Sequence, residues 1–575
     1  MPLSVDIDST SSRPGNQVSQ VLRTSQLVRG FSAFLSGVLL SAAFPPLEWS
    51  WLAWIALVPL LVLGLPPCSS PWWIGYWYGL GHFLTTFAWL RKVFLPAPLA
   101  LALVCALFPA LWLFLARSIH CNLSVAEDDD LLPRTDPGLN PPTLLNGKRQ
   151  CLFLLLLAFM WCAFEWVRSW FLGGLPWNQL GVSQWRNSAL LPLSRLTGVY
   201  GLSFLIVSGN IAFYFVAVRT ADRMKGTLGP RMTWPLVLFI GLVTVAVAMG
   251  RVYRISVPSD FVRVAAIQGN IPQSRFASAS RLDFALEVYT KLTRRIVNLG
   301  KPDLVVWPET AIPASLRTHV PTAAAMAALF DEIRTPMIVG TIDYRYSPRA
   351  DSNEPPRGFN SALMYDGAGN VVDWYDKVRL VPFGEFVPLE QYLPWLTRWI
   401  GMGRSLSPGR AATVLTFDGD RRFGVCICYE DIFPEITRQH VFGGANILLA
   451  ITNDAWFGET SGSRQHLAHS VFRAVESCRP MLRNGNNSDT CLILPDGKIL
   501  AILYDARGGR FIRDARIYTV PVWQDLPVTF YTRHGNWFPV FGAVATLTAV
   551  LWCFYRYVSR KRRLYELIHA PEPSE

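Results

Sequence analysis

Eight apolar runs of this chain have the length of a membrane-spanning helix, and they restrict its possible folds more than any other feature. A spanning helix needs about 20 consecutive, mostly apolar residues, with a range of about 17–25. The runs cover residues 27–44, 49–65, 72–90, 98–116, 151–171, 190–218, 234–251 and 537–557. Only 16% of the 575 residues are charged, against roughly a quarter in soluble domains. We therefore expect a polytopic membrane protein with an α-helical bundle of about eight spans.

The distribution of Lys and Arg predicts which way these spans run, because basic residues concentrate in short loops on the cytoplasmic side. Basic clusters flank the first run, precede the seventh and follow the eighth: Arg13, Arg23 and Arg29; Arg219, Arg223, Lys225 and Arg231; Arg556, Arg560, Lys561, Arg562 and Arg563. Arg91 and Lys92 oppose this scheme. We expect both termini in the cytoplasm and the segment between the last two spans outside it.

That segment alternates short runs rich in Val and Ile with longer amphipathic ones. The short runs predict strands at 262–267, 304–307, 337–341, 422–427 and 447–451, and the long ones predict helices at 280–299, 322–334, 433–442 and 463–478. Such alternation favours a layered α/β domain. The predicted organisation is a cytoplasmic tail (1–26), a seven-span bundle (27–251), an extracytoplasmic domain (261–523), an eighth span (537–557) and a basic cytoplasmic tail (558–575).

Composition and motifs argue against several functions. The formal charge is +12, but the basic residues form no single face or known fold for nucleic acid, so we expect no nucleic-acid partner. The ten Cys include no CxxC pair or zinc-like Cys/His spacing, which argues against a metal. His466 and His469 lack a third ligand, and we expect structural or substrate-positioning roles. Serine-hydrolase, dinucleotide and Walker A motifs are missing, and no cofactor is expected.

Three polar residues follow apolar strands or turns, where side chains can line a cleft: Glu309, Lys377 and Cys428. A carboxylate, a cation and a thiol are the groups that covalent acyl transfer needs. A thiol at a strand-to-helix turn can have its pKa lowered by the helix N-terminus. Cys426 lies two residues before Cys428 on the same strand face, so spacing alone leaves both cysteines as candidate nucleophiles.

These three segments resemble the nitrilase, or carbon–nitrogen hydrolase, superfamily, whose catalytic set is Glu-Lys-Cys on an α-β-β-α sandwich. The resemblance is closer to its membrane branch, the apolipoprotein N-acyltransferases, and it extends along nearly the whole chain. The segments that carry it are 174–178, 268–273, 307–309, 381–388, 428–430, 453–458, 465–466, 479–480 and 531–537. The order of these segments around the predicted spans is a more specific sign of the family than any single segment.

The resemblance implies a role for each candidate. Glu309 is the implied base, Lys377 the oxyanion donor and Cys428 the nucleophile, because the family's cysteine directly precedes Tyr-Glu. The resemblance adds Glu385, Tyr429 and Glu430 as supporting residues, and Trp307, Phe276, Trp456 and Arg479 as substrate-positioning residues. Phe276, Ser463 and Ser488 depart from residues that are common in the family, Trp, Pro and Gly, and these departures bear on substrate preference.

The implied reaction has two steps and passes through a thioester. An acyl chain moves from the sn-1 position of a phospholipid to the α-amino group of an apolipoprotein's N-terminal S-diacylglyceryl cysteine. The expected partners are these two substrates and the membrane, with the chain acting as a monomer. The implied location is the inner membrane of a bacterium, with the catalytic domain on the extracytoplasmic side.

Three alternatives remain open. A membrane-tethered amidase would need only one anchor, and a non-catalytic scaffold would not need all three candidate residues. A transporter with an appended domain would place ionisable residues inside its spans, for which Glu165 and Arg168 are the main candidates.

Overall fold

The structure consists of a helical bundle and a two-sheet domain that is inserted before the last long helix. It is a computed structural model. It describes residues 14–569 except 67–69, 125–144, 225–232, 251, 253–254, 273–278, 347–355, 389, 391, 393–394 and 396–404.

Every apolar run that was predicted to span the membrane is helical over all or part of its length. The bundle helices are α1 (Pro14–Ser41), α2 (Val58–Gly64), α3 (Pro71–Thr86), α4 (Ala97–Cys105), α5 (Leu107–Ser124), α6 (Gly147–Arg168), α7 (Ser194–Thr197), α8 (Val199–Met224) and α9 (Trp234–Met249). Among the described residues, four segments are long and apolar enough to cross a membrane: Ala97–Ser124, Gly147–Arg168, Val199–Met224 and Trp537–Arg563. The chain therefore has a helical membrane bundle, and the count of eight spans stays a prediction.

The first and last long helices extend beyond their apolar runs. α1 begins at Pro14, well before the run that starts at residue 27, and the last helix, Trp537–Ile568, continues past residue 557. Hydrophobicity marks only the part of a helix that contacts lipid, whereas Arg, Lys and Gln are good helix formers in water. The helices therefore continue into the predicted tails.

The inserted domain contains two six-stranded sheets. Its strands are β1 (Asp260–Gln268), β2 (Leu304–Val306), β3 (Met337–Arg345), β4 (Arg357–Tyr365), β5 (Val371–Asp376), β6 (Val414–Thr416), β7 (Arg422–Ile427), β8 (Ile447–Thr452), β9 (Met481–Gly485), β10 (Cys491–Ile493), β11 (Ile499–Leu500) and β12 (Asp514–Val522). The strand orders are β12-β1-β2-β3-β4-β5 and β11-β10-β9-β8-β7-β6. The remaining helices are α10 (Ala279–Gly300), α11 (Val320–Ile333), α12 (Pro434–Phe442), α13 (Gly462–Ser477), α14 (Phe530–His534) and α15 (Trp537–Ile568).

The five predicted strands and four predicted helices are confirmed, and alternation along β1 shows how the layers form. Val262, Val264 and Ala266 lie in the core between the two sheets, whereas Ala265 and Ile267 pack under the outer helices. Successive side chains of a strand point to opposite faces, so an apolar strand can be buried on both. The result is an α-β-β-α sandwich.

The strand directions bring several strand ends to one edge of the sandwich. β1, β2 and β3 are parallel, as are β7, β8 and β9. β5 runs antiparallel to β4, which runs antiparallel to β3, so β5 ends at the same edge as β3. Residues that follow β2, β5, β7 and β8 can therefore meet there.

The domain rests on one end of the bundle. Gln465 of α13 donates a hydrogen bond to the carbonyl of Pro45, after α1, and Glu476 of α13 accepts one from the N–H of Val199, at the start of α8. Trp89, after α3, also binds Gln465. The loops that the charge pattern predicts on the extracytoplasmic side thus contact the domain. The side of the membrane that this end faces stays a prediction.

Candidate active site

The structure brings Glu309, Lys377 and Cys428 together at the shared edge of the two sheets. Glu309 lies just after β2, Lys377 directly follows β5, and Cys428 directly follows β7. All three are buried, with 6%, 1% and 8% of their surface exposed. Lys377 Nζ lies 3.1 Å from Glu309 Oε1. The two side chains also act on the Cys428 thiol, whose pKa Glu309 raises and Lys377 lowers after the larger effect of burial.

Lys377 is held between two carboxylates. Its Nζ lies 3.0 Å from Glu385, in addition to its contact with Glu309. The amide of Asn360, on β4, donates hydrogen bonds of 2.8 Å to Glu309 and 2.7 Å to Glu385. Burial alone would lower the pKa of Lys377, but Glu309 and Glu385 outweigh it and raise that pKa above its ordinary value. Lys377 is therefore an ammonium group with a fixed position.

Glu309 is fixed by donors from several parts of the domain. Its second carboxylate oxygen accepts a hydrogen bond of 2.9 Å from the N–H of Asn453, which follows β8. Its backbone passes so close to β3 that a Cβ on Gly340 would lie 2.1 Å from the carbonyl oxygen of Pro308. Only glycine fits there without displacement of the chain that carries Glu309.

The expected lowering of the Cys428 pKa is wrong. Burial, and then Glu309, raise the pKa of this thiol well above its ordinary value. The turn that follows, Cys428–Ile432, is a short 3₁₀ turn, and α12 begins only at Pro434, so the expected α-helix does not begin at the thiol. Cys428 itself has a left-handed backbone, with φ of 52°, which is uncommon for a residue with a side chain. A thiol in this state needs a base to become a nucleophile.

The two cysteines that spacing left open have different surroundings. Cys426 is fully buried within β7 and packs with bundle residues such as Trp89 and Trp177. Cys428 lies past the strand end, where its thiol interacts with Glu309 and Lys377. This placement favours Cys428 as the nucleophile.

Glu430 connects the turn of Cys428 to the loop of Lys377. It accepts hydrogen bonds of 2.8 Å from the N–H of Ile427, 2.7 Å from the Tyr375 hydroxyl and 2.7 Å from the N–H of Val378. Burial raises its pKa to about 7. Tyr429 points elsewhere, since its hydroxyl donates to the carbonyl of Gly174 after α6. Glu430 therefore supports the site, whereas Tyr429 binds the bundle.

Two residues with expected substrate contacts, Trp307 and Arg479, are buried and have partners within the domain, and their contacts with substrate stay predictions. Trp307 is fully buried in the core and donates a hydrogen bond of 2.9 Å to Thr293 of α10. Arg479 precedes β9, at the edge of the sheet opposite to Cys428, and donates to the carbonyls of Ala445 and Leu526. Trp307 packs in the core, and Arg479 ties neighbouring loops together at the other end of the strands. A sequence motif does not show which end of a strand, or which layer of the domain, a side chain occupies.

Trp456 lies in a 3₁₀ turn, Asp454–Phe457, that faces the bundle. Its side chain is 45% exposed, while the neighbouring Phe457 packs edge-on against Trp89 with ring centroids 4.4 Å apart. A contact of Trp456 with substrate is compatible with this position and stays a prediction. Phe276 lies outside the described residues.

Sequence reasoning missed most of a buried cluster behind Cys428. His466 of α13 lies 2.6 Å from Asp431 and 3.1 Å from Asp454, and Arg483 of β9 contacts the same two carboxylates at 2.8 Å and 3.1 Å. Ser463, one of the departures from the family pattern, donates to Asp454. The sequence marked the two His side chains of α13, but no sequence signal pairs His466 with Asp431 or Arg483. No group of three or more His, Cys, Asp or Glu suited to a metal occurs among the described residues.

The ionisable residues of α6 have structural partners, which weakens the transporter alternative. Glu165 accepts hydrogen bonds from the Trp161 indole and the N–H of Leu180, and Arg168 donates to the carbonyls of Leu175 and Trp177. Both side chains thus hold the loop that follows α6.

Comparisons with known proteins agree with this architecture. A family model described as "Apolipoprotein N-acyltransferase N-terminal domain" matches residues 36–212, and one described as "Carbon-nitrogen hydrolase" matches residues 263–510. A protein of Geobacter metallireducens named apolipoprotein N-acyltransferase is 32% identical over 520 residues, which cover 88% of this chain and 91% of that protein. One of the same name from Allorhizobium ampelinum is 30% identical over 82% of this chain and 87% of its own length.

Solved nitrilase structures are more distant. Saccharomyces cerevisiae Nit3, a member of branch 10 of the nitrilase superfamily, is 18% identical, with a TM-score of 0.34 over 46% of this chain and 92% of its own. That similarity is too low to support an argument about this chain. The relatives named above match across both the bundle and the sandwich domain, over most of their own length. This chain belongs to the apolipoprotein N-acyltransferase family.

Proposed function

We propose that this protein transfers an acyl chain from the sn-1 position of a phospholipid to the α-amino group of an apolipoprotein's N-terminal S-diacylglyceryl cysteine. Its relatives carry the name of that activity. The observation that carries the proposal is the buried Lys377–Glu309 pair, 3.1 Å apart and acting on the Cys428 thiol, in a domain joined to a membrane bundle.

In the first step, Glu309 removes the thiol proton and the Cys428 sulfur attacks the ester carbonyl carbon. Burial keeps the thiol protonated at rest, so the base is needed at this moment. An ammonium has three N–H donors; two of those of Lys377 point to Glu309 and Glu385, and we assign the third to the oxyanion. The ester C–O bond then breaks, and Glu309 returns the proton to the leaving lysophospholipid oxygen. A thioester remains on Cys428.

In the second step, the α-amino group of the apolipoprotein attacks the thioester carbonyl. Glu309 accepts a proton from the attacking nitrogen, and Lys377 again stabilises the oxyanion. The C–S bond breaks, the amide leaves as product, and the proton held by Glu309 returns to the Cys428 sulfur. An oxyanion donor of this kind contributes roughly 3–4 kcal/mol to transition-state stabilisation.

The membrane bundle favours lipid substrates over those of a tethered amidase. Removing an acyl chain from lipid into water costs about 0.8 kcal/mol for each CH₂. A site held against the bundle by Gln465 and Tyr429 lets acyl chains stay in an apolar environment. We further propose that the chain acts as a monomer in the inner membrane of a bacterium, with this domain on the extracytoplasmic side.

Intact-mass measurement after incubation with phospholipid tests the proposal. The wild-type protein and Cys426→Ala should each gain one acyl group that hydroxylamine removes, and Cys428→Ala should gain none. Addition of a diacylglyceryl peptide should discharge the adduct and increase the peptide mass by the same acyl group. Absence of any adduct or phospholipid turnover in the wild-type protein would contradict the acyltransferase function and favour an amidase.

A further inference from the structure

The backbone that carries Cys428 contacts a buried histidine that has no part in the reaction proposed above. His466 Nε2 lies 3.3 Å from the carbonyl oxygen of Cys428 and 2.6 Å from Asp431 Oδ1. Asp431 belongs to the same turn as Cys428, Cys428–Ile432. One imidazole nitrogen therefore contacts two oxygens of the turn that carries the nucleophile, and the side chain is fully buried.

The charges around His466 balance only when the imidazole is protonated. Asp431 and Asp454 carry two negative charges, and Arg483, which contacts both, carries one positive charge. All of these side chains are fully buried, where an uncompensated charge is costly. Burial by itself would lower the pKa of His466, but Asp431 and Asp454 raise it to about 9 against the opposing effect of Arg483.

The second carboxylate belongs to a turn that reaches the base. Asp454 begins the turn Asp454–Phe457, and the residue before it, Asn453, donates its N–H to Glu309 at 2.9 Å. His466 thus contacts one turn that carries the nucleophile and another that holds the base. Any shift of the imidazole would move the two reacting groups relative to each other.

The residue that precedes His466 in α13 connects this arrangement to the bundle. Gln465 Oε1 accepts hydrogen bonds from the indole N–H groups of Trp89, at 3.1 Å, and Trp177, at 2.8 Å. Its amide donates to the carbonyl of Pro45 at 3.0 Å. These three partners belong to three different connections of the bundle, so α13 is fixed to the membrane part on one side and to the site on the other.

We propose that His466 is a positioning residue for acyl transfer, which holds the turns of Cys428 and Asn453 in one arrangement and, through Gln465, in a fixed relation to the membrane bundle. This inference rests on the proposed function. His466 itself touches neither the acyl carbonyl nor the reacting sulfur.

The test compares His466→Gln with His469→Gln in the full-length protein. His469 lies one turn along α13, is also buried, and packs against Trp177, but its Nε2 accepts a hydrogen bond from Asn178 rather than contacting the Cys428 turn. The readouts are the maximal rate of acyl-enzyme formation and the half-saturating phospholipid concentration in detergent micelles. We expect His466→Gln to lower the maximal rate on the order of 100-fold without a change in half-saturation, because small displacements of reacting groups have effects of this size. His469→Gln should stay within about twofold of wild type, since it leaves those groups in place.

A double variant, Asp431→Asn with His466→Gln, separates charge from geometry and serves if the single variant does not fold. It restores the charge balance but not the tie to the Cys428 carbonyl, so its rate should be lowered about tenfold. A wild-type rate in His466→Gln, or an equal loss in His469→Gln, would overturn the role of His466 while the proposed function stands. A wild-type protein that forms no acyl-enzyme would overturn the proposed function, and this role with it.

Discussion

The ammonium nitrogen of Lys377 lies 3.1 Å from a carboxylate oxygen of Glu309, and both side chains are buried. Each side chain therefore fixes the position of the other, close to Cys428 at the end of β7. Removal of one partner of a buried pair typically costs about 3–5 kcal/mol, because the remaining charge is left uncompensated. The same contact that stabilises the site thus places the proposed base beside the proposed oxyanion donor.

Glu385→Gln should slow acyl-enzyme formation on the order of 100-fold, because Lys377 loses a charged partner that fixes its position. The measurement is the rate of adduct formation by intact mass. Glu332→Gln is the matched control, since Glu332 pairs with Arg294 on the surface, where ion pairs contribute little. Equal rates in the two variants would show that Glu385 does not position Lys377.

Gly340→Ala should damage the site without touching an ionisable group. A Cβ there would lie 2.1 Å from the carbonyl oxygen of Pro308 and 2.8 Å from Cα of Glu309. The chain around Glu309 must shift, so we expect a loss of rate on the order of 100-fold and a loss of stability of about 1–3 kcal/mol. Gly241→Ala in α9 is the control, because a Cβ there meets nothing within 4 Å. A wild-type rate in Gly340→Ala would contradict the close approach.

Trp89→Phe and Trp177→Phe should destabilise the protein more in combination than the sum of their separate effects. Each indole donates to Gln465 Oε1, so either single variant leaves this buried oxygen one of its two indole donors. The double variant removes both, and an unsatisfied buried acceptor costs about 1–3 kcal/mol. The free energy of unfolding in detergent should therefore fall by more than the sum of the single losses. Strictly additive losses would mean that Gln465 does not couple the two tryptophans.

Protonation of His466 should make stability depend on pH above neutrality. Its pKa is raised from 6.5 to about 9, so its contribution is complete below pH 6.5 and is lost as pH rises through about 9. At about 1.4 kcal/mol for each pH unit, the full loss is about 3 kcal/mol. The difference in unfolding free energy between wild type and His466→Gln should shrink by about this amount over that range.

The control for this pH dependence is His469, whose pKa burial lowers well below its ordinary value. A group with a lowered pKa of this kind is neutral in both the folded and unfolded states above pH 6.5, so the difference between wild type and His469→Gln should stay constant there. A constant difference for His466→Gln as well would contradict a protonated His466 between Asp431, Asp454 and Arg483.

The periodicity of the sequence predicted much of the fold. Val262, Val264 and Ala266 alternate with outward-facing residues along β1, and uninterrupted apolar runs marked the bundle helices. Seven strands were not predicted: the shorter strands β5, β6, β9, β10 and β11, and the long strands β4 and β12, although β12 pairs with β1 along its whole length. Their mixture of polar and apolar residues gives no clear period, and their pairing depends on neighbours far away in the chain.

The sequence by itself determined the membrane helices and the alternation of strands and helices in the sandwich domain. It also put Glu309 and Cys428 at the ends of strands and Lys377 at a strand end or turn, because these features depend on local patterns of side chains. Only the tertiary structure decided that Asn360 binds Glu309 and that His466 joins Asp431 to Asp454. It also decided that the pKa of the Cys428 thiol is raised. Burial and hydrogen-bond partners come from segments that are distant in sequence. A local sequence pattern does not show which of these segments come into contact in the folded protein.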